Sequence, residues 1–588
     1  MKLSRILLIV MSLVLVSCNS DKIEKHTVHV ISTGDVHGAW FDEDYSNPEK
    51  THPSLLAISK KVNDLRDSVG AENVILIDGG DCLQGNVAPY FSNYENSENP
   101  HLFPQIVNYM GYDCVVVGNH DIETSHPVYD KVKKEMDGYG IPWLAGNVIN
   151  ENGDIYFNEY TVVEKAGLKV LILGYTNPNI PEWLQEEKWK GLKFESLLPY
   201  VQNRVDEIKA KVKPQVTIVT VHSGTGKGDG NIFENQGLDL LNSLNGVDLL
   251  ITAHDHQPIV LKNGKTVLMN CGSSAAKVGH ALIEVTTKGD KVLDVNVNAT
   301  VEDVDKNDVD VAMKENFDEM YGLVKNFTNQ KIGTIDQTIN TKDAFTGKSL
   351  YVDFVNTVMM KATGAQVSFT APLTYNGTVA SGDFAYRDLG IIYPFENELI
   401  MLKMKGSEIK GFLEFSYDKW INVCNSDDAG NPDAHVLKII EKDDPRNGAR
   451  GWAFENKSYN FEAAAGLKYT VDITKSFGNR VCINSLANGD AFDMDEFYNV
   501  AMTSYRFSGA GDLMDEGAGI SKEEAAGRIV AKYREIRDLI NEYIVEKQNI
   551  TTDMISNVNV LGEWKFIPED MAAPMLERDM NLLFQNDK

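Results

Sequence analysis

The sequence predicts an α/β layered domain followed by a second domain of the α+β class. Three observations lead there. At 588 residues the chain is too long for a single core. From Thr27 to about Thr300, short β-branched runs alternate with amphipathic stretches, the pattern of strands layered with helices. And the residues able to carry chemistry sit just after the apolar runs, where ligand sites gather in such folds.

The elements follow in order. Lys2 and Arg5 precede an apolar run from Ile6 to Val16, shorter than the roughly 20 residues that span a bilayer. Residues 1–17 therefore read as a signal peptide. The run ends in Leu15-Val16-Ser17-Cys18, which resembles a bacterial lipoprotein processing box. That resemblance implies acylation of Cys18, a lipidated tether over residues 18–26, and an exported, membrane-anchored protein on the periplasmic face or the cell surface.

Strands are expected at Val28–Ile31, Val74–Ile77, Val115–Val117, Val170–Leu173, Val216–Val221 and Leu249–Ile251, with helices such as Leu55–Leu65 and Leu198–Val212 between them. This first domain covers residues 27–300. A connector (301–331) carries one helix over Val309–Lys325. The second domain covers residues 332–548, with a helix near Leu350–Lys361, a strand at Glu398–Met404 and a late helix at Lys522–Glu546. Residues 549–588 form a tail of unclear role.

Composition narrows the partners. A formal charge of −29 disfavours a nucleic-acid polymer, whose phosphates need clustered Lys and Arg. It leaves room for a small phosphorylated molecule, because bound cations can dominate the field inside an acidic site. Beyond Cys18 five scattered cysteines remain, a poor disulfide framework; Cys424 with Cys482 is the one pairing left open.

Five short motifs stand at strand ends: Gly34-Asp35-Val36-His37, Gly79-Gly80-Asp81, Gly118-Asn119-His120-Asp121, Val221-His222-Ser223 and Ala253-His254-Asp255-His256. Each alone reads as a turn, a cap or a core histidine. Together they assemble carboxylate, imidazole and amide oxygen, the donors that suit Mn, Zn, Fe or Co. Asp-x-His and His-x-His place two donors on one side of an extended segment. A site for two divalent metal ions is the expectation.

In order and spacing these motifs resemble the calcineurin-like metallophosphoesterases, and within them the bacterial 5′-nucleotidase and 2′,3′-cyclic-nucleotide phosphodiesterase family. The resemblance covers roughly residues 27–545. It implies an αββα metallophosphoesterase sandwich followed by a substrate-binding domain, and two-metal hydrolysis of nucleotide phosphoesters. It also implies that Asp35, His37, Asp81 and His256 hold one ion, that Asp81, Asn119, His222 and His254 hold the other, and that Asp81 bridges them. Ala253 stands where the family has Gly.

The resemblance gives His120 a catalytic role, assisting the leaving group or stabilising charge, with Glu123 orienting it where the family has Asp. Asp78 reads as structural. In the second domain the family stacks the nucleobase between aromatic rings, and Phe461, or Tyr459, facing Tyr505 is the expectation, with Arg506 as a nearby cation. The segment Ser368-Phe369-Thr370-Ala371-Pro372-Leu373 lacks the family's substrate Arg, which points toward the 2′,3′-cyclic-nucleotide branch. Two alternatives stay open: hydrolysis of nucleotide sugars or other phosphoesters, and a non-catalytic binding lipoprotein.

Overall fold

Runs of Val, Ile and Leu form strands because branched side chains pack well on a pleated surface. In the computed structural model, which describes residues 22–584 apart from 44, 46–49, 229–232, 396 and 444–449, the chain divides into two units, the first ending at Val324 and the second beginning at Lys325. The expected signal peptide and Cys18 lie outside the described residues.

The first unit is built on strands β1 (Ile23–Thr33), β2 (Val74–Asp78), β3 (Cys114–Val116), β4 (Trp143–Leu144), β5 (Tyr160–Lys165), β6 (Leu168–Tyr175), β7 (Val216–Val221), β8 (Leu249–Thr252), β9 (Ile259–Asn263), β10 (Thr266–Asn270), β11 (Lys277–Lys288) and β12 (Lys291–Asp303). They make two six-stranded sheets, ordered β12-β11-β1-β2-β3-β4 and β9-β10-β8-β7-β6-β5. Strands β1 to β4 run parallel, as do β6, β7, β8 and β10. Antiparallel strands finish the edges.

Alternation across the pleat sorts the side chains. Val28, Val30, Ile75, Ile77 and Val116 of the first sheet meet Val170, Ile172, Ile218, Leu249 and Ile251 of the second in one buried cluster. On the outer face of the first sheet, Ile31, Val74, Leu76 and Val115 pack with α1 (Leu55–Val69), α2 (Leu102–Met110) and α3 (His126–Tyr139). On the second, Leu171, Leu173, Val219 and Val221 pack with α4 (Leu197–Val212) and α5 (Gly237–Ser243). The layers are α, β, β, α. Burying each such side chain is worth about 1.5–3 kcal/mol, so a one-residue slip of a central strand, which turns its apolar set the wrong way, is heavily penalised.

The single helix expected at Val309–Lys325 is two, α6 (Val311–Asn316) and α7 (Asp318–Thr328). They part at buried Phe317, which leaves helical geometry (φ −106°, ψ 12°).

The second unit contains α8 (Leu350–Thr363), α9 (Gly406–Trp420) and strands β13 (Val367–Thr370), β14 (Glu398–Lys405), β15 (Ala463–Ala465), β16 (Leu467–Asp472), β17 (Val481–Leu486), β18 (Phe497–Thr503), β19 (Ile529–Glu535) and β20 (Gly562–Ile567). One sheet runs β15-β13-β18-β14-β19 and another β17-β16-β20.

The late helix expected at Lys522–Glu546 is interrupted. Residues Lys522–Ala526 form α10, Ile529–Glu535 form β19, and Ile536–Lys547 form α11. Gly527 ends the first turn, and the strict alternation of half-buried Ile529, Ala531 and Tyr533 with exposed Val530, Lys532 and Arg534 has a strand's period, which β19 uses to pair with β14.

The C-terminal residues complete this unit's core. β20 pairs in parallel with β16, and Met571, Ala572, Met575 and Leu576 of α12 (Glu569–Leu583) pack in the cluster that holds Trp420 and Phe461. Cys424 and Cys482 are free thiols, so the pairing left open above does not form.

Candidate metal centre and aromatic platform

Every predicted ligand follows the carboxyl end of a parallel strand: Asp35 and His37 after β1, Asp81 after β2, Asn119 after β3, His222 after β7, and His254 and His256 after β8. The backbone there is unusual. Asp35, His37, Asp81, His254 and His256 adopt φ of 48°, 48°, 61°, 80° and 56°, the left-handed region that costs a side-chain-bearing residue about 1–3 kcal/mol.

Hydrogen bonds hold the strain. Asp35 N–H donates to the Gly80 carbonyl (2.9 Å) and His37 N–H to that of Asp81 (3.0 Å), while His254 N–H donates to the Asp35 carboxylate (2.8 Å). The buried Asp121 carboxylate accepts from the N–H groups of Gly118, Cys82, Leu83 and Asp81 at 2.8–3.1 Å, lashing the loop after β2 to the loop after β3. Asp78 accepts from Gly80 N–H (2.8 Å) and the Thr33 hydroxyl (2.5 Å), a structural role.

Two groups of donor atoms result. In each, the ligand atoms lie within 4.8 Å of one another: Asp35, His37 and His256 in the first, Asp81, His222 and His254 in the second. Asn119 belongs with the second, its Oδ1 3.1 Å from His222 Nε2 and 2.9 Å from His254 Nδ1.

The tautomers suit cations. A carbonyl can only accept, so His222 Nδ1, 2.8 Å from the Gly79 carbonyl, carries that ring's proton, as does His37 Nδ1 against the Gln84 carbonyl at 3.2 Å. Their Nε2 atoms therefore face inward. His37 Nε2 meets His256 Nε2 at 3.0 Å, and His222 Nε2 meets Asp81 Oδ2 at 3.0 Å. A proton on one partner or a cation between them satisfies such contacts, and the donor set fits divalent ions.

Without an ion between these groups, burial opposes protonation of His222, but the Asp81 and Asp35 carboxylates outweigh it and raise the imidazole to about 9, so the ring itself carries the positive charge that a bound cation would replace. At His37 burial prevails and lowers the ring to about 3, leaving a neutral ligand.

Beside these groups His120 Nδ1 lies 2.7 Å from Glu123 Oε2 and 3.0 Å from Gln84 Oε1. The longer glutamate reaches the ring. Burial pushes the Glu123 carboxyl up, yet His120 and Lys188, whose Nζ is 3.9 Å away, hold it below its ordinary value.

In the second unit the aromatic residues separate. Phe461 is 0% exposed and stacked on Trp420, with centroids 5.3 Å apart and planes at 7°. It is a core residue, and its expected place opposite Tyr505 is corrected. Tyr459 lies beside Tyr505, edge to face at 6.2 Å, and Phe395 meets Tyr459 edge-on at 6.3 Å. Tyr505 and Phe395 are 41% and 43% exposed.

Arg506 is corrected too. It is 1% exposed and paired with Glu462 at 3.0 Å, with its remaining N–H groups on the Tyr459 and Ala510 carbonyls and Asn460 Oδ1. It is not a free cation.

Residues 28–258 match the Calcineurin-like phosphoesterase family, and residues 331–515 match the 5′-nucleotidase C-terminal domain family. The chain carries a calcineurin-like phosphoesterase domain followed by a 5′-nucleotidase C-terminal domain. It is 21% identical over 601 residues to the trifunctional nucleotide phosphoesterase protein YfkN of Bacillus subtilis, an alignment covering 90% of this chain and 38% of that longer protein. It is likewise 21% identical to a 2′,3′-cyclic-nucleotide 2′-phosphodiesterase/3′-nucleotidase of Haemophilus influenzae, covering 92% and 87% of the two chains.

Among solved structures, a Staphylococcus aureus protein assigned as a 5′-nucleotidase, in complex with α-ketoglutarate, shares the fold with a TM-score of 0.67, 20% identity and coverage of 92% and 99%. A Thermus thermophilus 5′-nucleotidase precursor does so at 0.53, 19% identity and coverage of 92% and 100%.

The phosphoesterase domain also uses residues that sequence reasoning missed. Trp183 stacks on His254 (5.2 Å, 17°), and Lys188 approaches Glu123. Both come from short helices after β6 (Ile180–Trp183 and Glu186–Trp189), which no motif marks. Glu234 Oε1 lies 3.2 Å from His254 Nε2, the carboxylate support that fixes a ligating imidazole. Asp121 stood inside a quoted motif, and only its position two residues past Asn119 signalled it.

Proposed function

We propose that this protein hydrolyses nucleotide phosphoesters, taking nucleoside monophosphates and 2′,3′-cyclic nucleotides, with the help of two divalent cations. Asp35, His37, Asp81 and His256 hold one, and Asp81, Asn119, His222 and His254 the other, with Asp81 shared. The observation that carries this reading is the convergence of carboxylate, amide and imidazole donors at five strand ends of a calcineurin-like phosphoesterase domain. Bound there, the cations supply Lewis acidity that activates water and neutralises charge on the phosphoryl oxygens; Mn, Zn, Fe and Co all suit the donor set.

The chain's own groups do the rest. Glu123 fixes the His120 ring through Nδ1, leaving Nε2 to serve the departing oxygen as a general acid. Tyr505, with Tyr459 beside it and Phe395 against Tyr459, offers aromatic faces to a nucleobase, a recognition that tolerates different bases. The guanidinium of Arg506 is fully engaged within the fold, so stacking rather than that cation carries recognition here. That fits a site open to cyclic as well as 5′-phosphates. The protein works outside the cytoplasm, tethered through acylated Cys18.

The test is a substrate panel on protein stripped with chelator and reloaded with Mn²⁺: AMP, 3′-AMP, 2′,3′-cyclic AMP, UDP-glucose and p-nitrophenyl phosphate. Hydrolysis of the nucleotides is expected to vanish on stripping and return on reloading. Turnover that survives chelation, or cleavage confined to UDP-glucose or p-nitrophenyl phosphate, would overturn the proposal.

A further inference from the structure

We infer that Arg506 is a positioning residue: its buried guanidinium locks the segment carrying Tyr459 to the segment carrying Tyr505, and so sets the aromatic platform that receives the base. The inference rests on the platform reading above and deepens it.

The geometry is that of a clamp between two loops. Nε donates to Glu462 Oε1 at 3.0 Å, Nη2 to the Tyr459 carbonyl at 2.8 Å, and both terminal nitrogens to Asn460 Oδ1 at 3.3 Å. These acceptors all lie within Tyr459–Glu462. Nη1 also donates to the Ala510 carbonyl, on the glycine-rich loop just past Tyr505. Five donors in one rigid plane thus span both segments, a task for which a lysine's single ammonium is unsuited.

Two further observations support a positional role. Gly511 has φ 74°, and a Cβ there would lie 2.6 Å from Arg506 Nη1 and 2.6 Å from Asn460 Oδ1, so the loop carries glycine where the guanidinium needs room. The guanidinium also sits 5.4 Å from the Tyr505 ring centroid, touching the platform itself. Stability alone does not account for the pair. Glu462 and Arg506 are 3% and 1% exposed, and a buried ion pair is commonly no more stable than apolar residues of the same volume. What the fork adds is one fixed arrangement of two loops.

The experiment compares AMP and 2′,3′-cyclic AMP with glycerol 2-phosphate, which has no base, in the metal-loaded full chain. Arg506→Lys keeps the charge and loses the fork. Gly511→Ala keeps Arg506 and crowds it. Each is expected to raise the nucleotide KM about tenfold, a loss of stacking-scale size, with kcat nearly unchanged and glycerol 2-phosphate turnover within about twofold of the parent. Tyr505→Ala is the reference variant.

If Tyr505→Ala raises the nucleotide KM while Arg506→Lys and Gly511→Ala leave it alone, the inference fails and the platform stands. If Tyr505→Ala itself changes nothing, the platform reading falls and the inference with it. An equal loss on glycerol 2-phosphate would make Arg506 a general structural residue and overturn the inference. Should Arg506→Lys not fold, Gly511→Ala and Glu462→Gln carry the same decision.

Discussion

His120 shows how a single methylene is accommodated. Glu123 is one carbon longer than the family's aspartate, yet its carboxylate meets Nδ1 at 2.7 Å because the helical turn Asn119–Glu123 places residues three apart on one side. Replacing His120 by Ala is expected to lower kcat about 10²–10⁴-fold with bound metal unchanged, read by steady-state kinetics beside elemental analysis. Metal lost in that variant would move His120 into the coordination sphere. At this scale the sequence was informative wherever chemistry is local. Asp35-Val36-His37 and His254-Asp255-His256 each offer candidate donors, and their conjunction with the other motifs marked the site, although the backbone there is left-handed rather than extended. Tyr459 and Phe461 were not separable, since two aromatics two apart look alike until packing chooses which one meets Trp420. Arg506 read as a cation available to the substrate for the same reason: a side chain's burial is decided by partners far along the chain.

The turn after β2 shows what an element demands. Gly80 sits at φ 100°, and a Cβ there would lie 2.8 Å from both the Gly118 nitrogen and His222 Nδ1. Gly80→Ala is expected to cost about 1–3 kcal/mol, read as a lower urea midpoint, and to weaken metal binding by displacing His222. Gly140→Ala makes the control. Its φ is 73° with nothing within 4 Å of the added Cβ, so a cost of about 1 kcal/mol with metal content intact is expected. Equal metal loss in both variants would refute the steric account. Strands of the first unit were legible because buried parallel strands read as unbroken apolar runs. The Lys522–Glu546 stretch misled because helix formers flank a segment whose alternation is that of a strand, and pairing with β14 decided in favour of the alternation.

For the whole molecule, the tether is the claim to test. Among the described residues no helix is long and apolar enough to cross a membrane; the attachment we propose is through Cys18. Cys18→Ser is expected to abolish incorporation of labelled palmitate and to shift the protein from the membrane fraction to the soluble one. An unlabelled parent protein would end the lipoprotein reading. The C-terminal residues were opaque in sequence because β20 and α12 are stabilised by contacts with segments about a hundred residues upstream, which no local pattern announces.

The donor atoms of the centre are divided between the layers: Asp35, His37, Asp81 and Asn119 hang from one sheet, His222, His254 and His256 from the other. Among the described residues no backbone ladder joins those sheets; apolar packing does, with a few polar links such as His254 N–H to Asp35 and Gly146 N–H to the Gly174 carbonyl. A divalent ion seated there is therefore a rivet through the sandwich, and a slide of one layer by a single strand residue, about 3.3 Å, would shear it. Loading and alignment would then be coupled: a cation would favour the register that packing and these hydrogen bonds already set, and that register supplies the cation's seat.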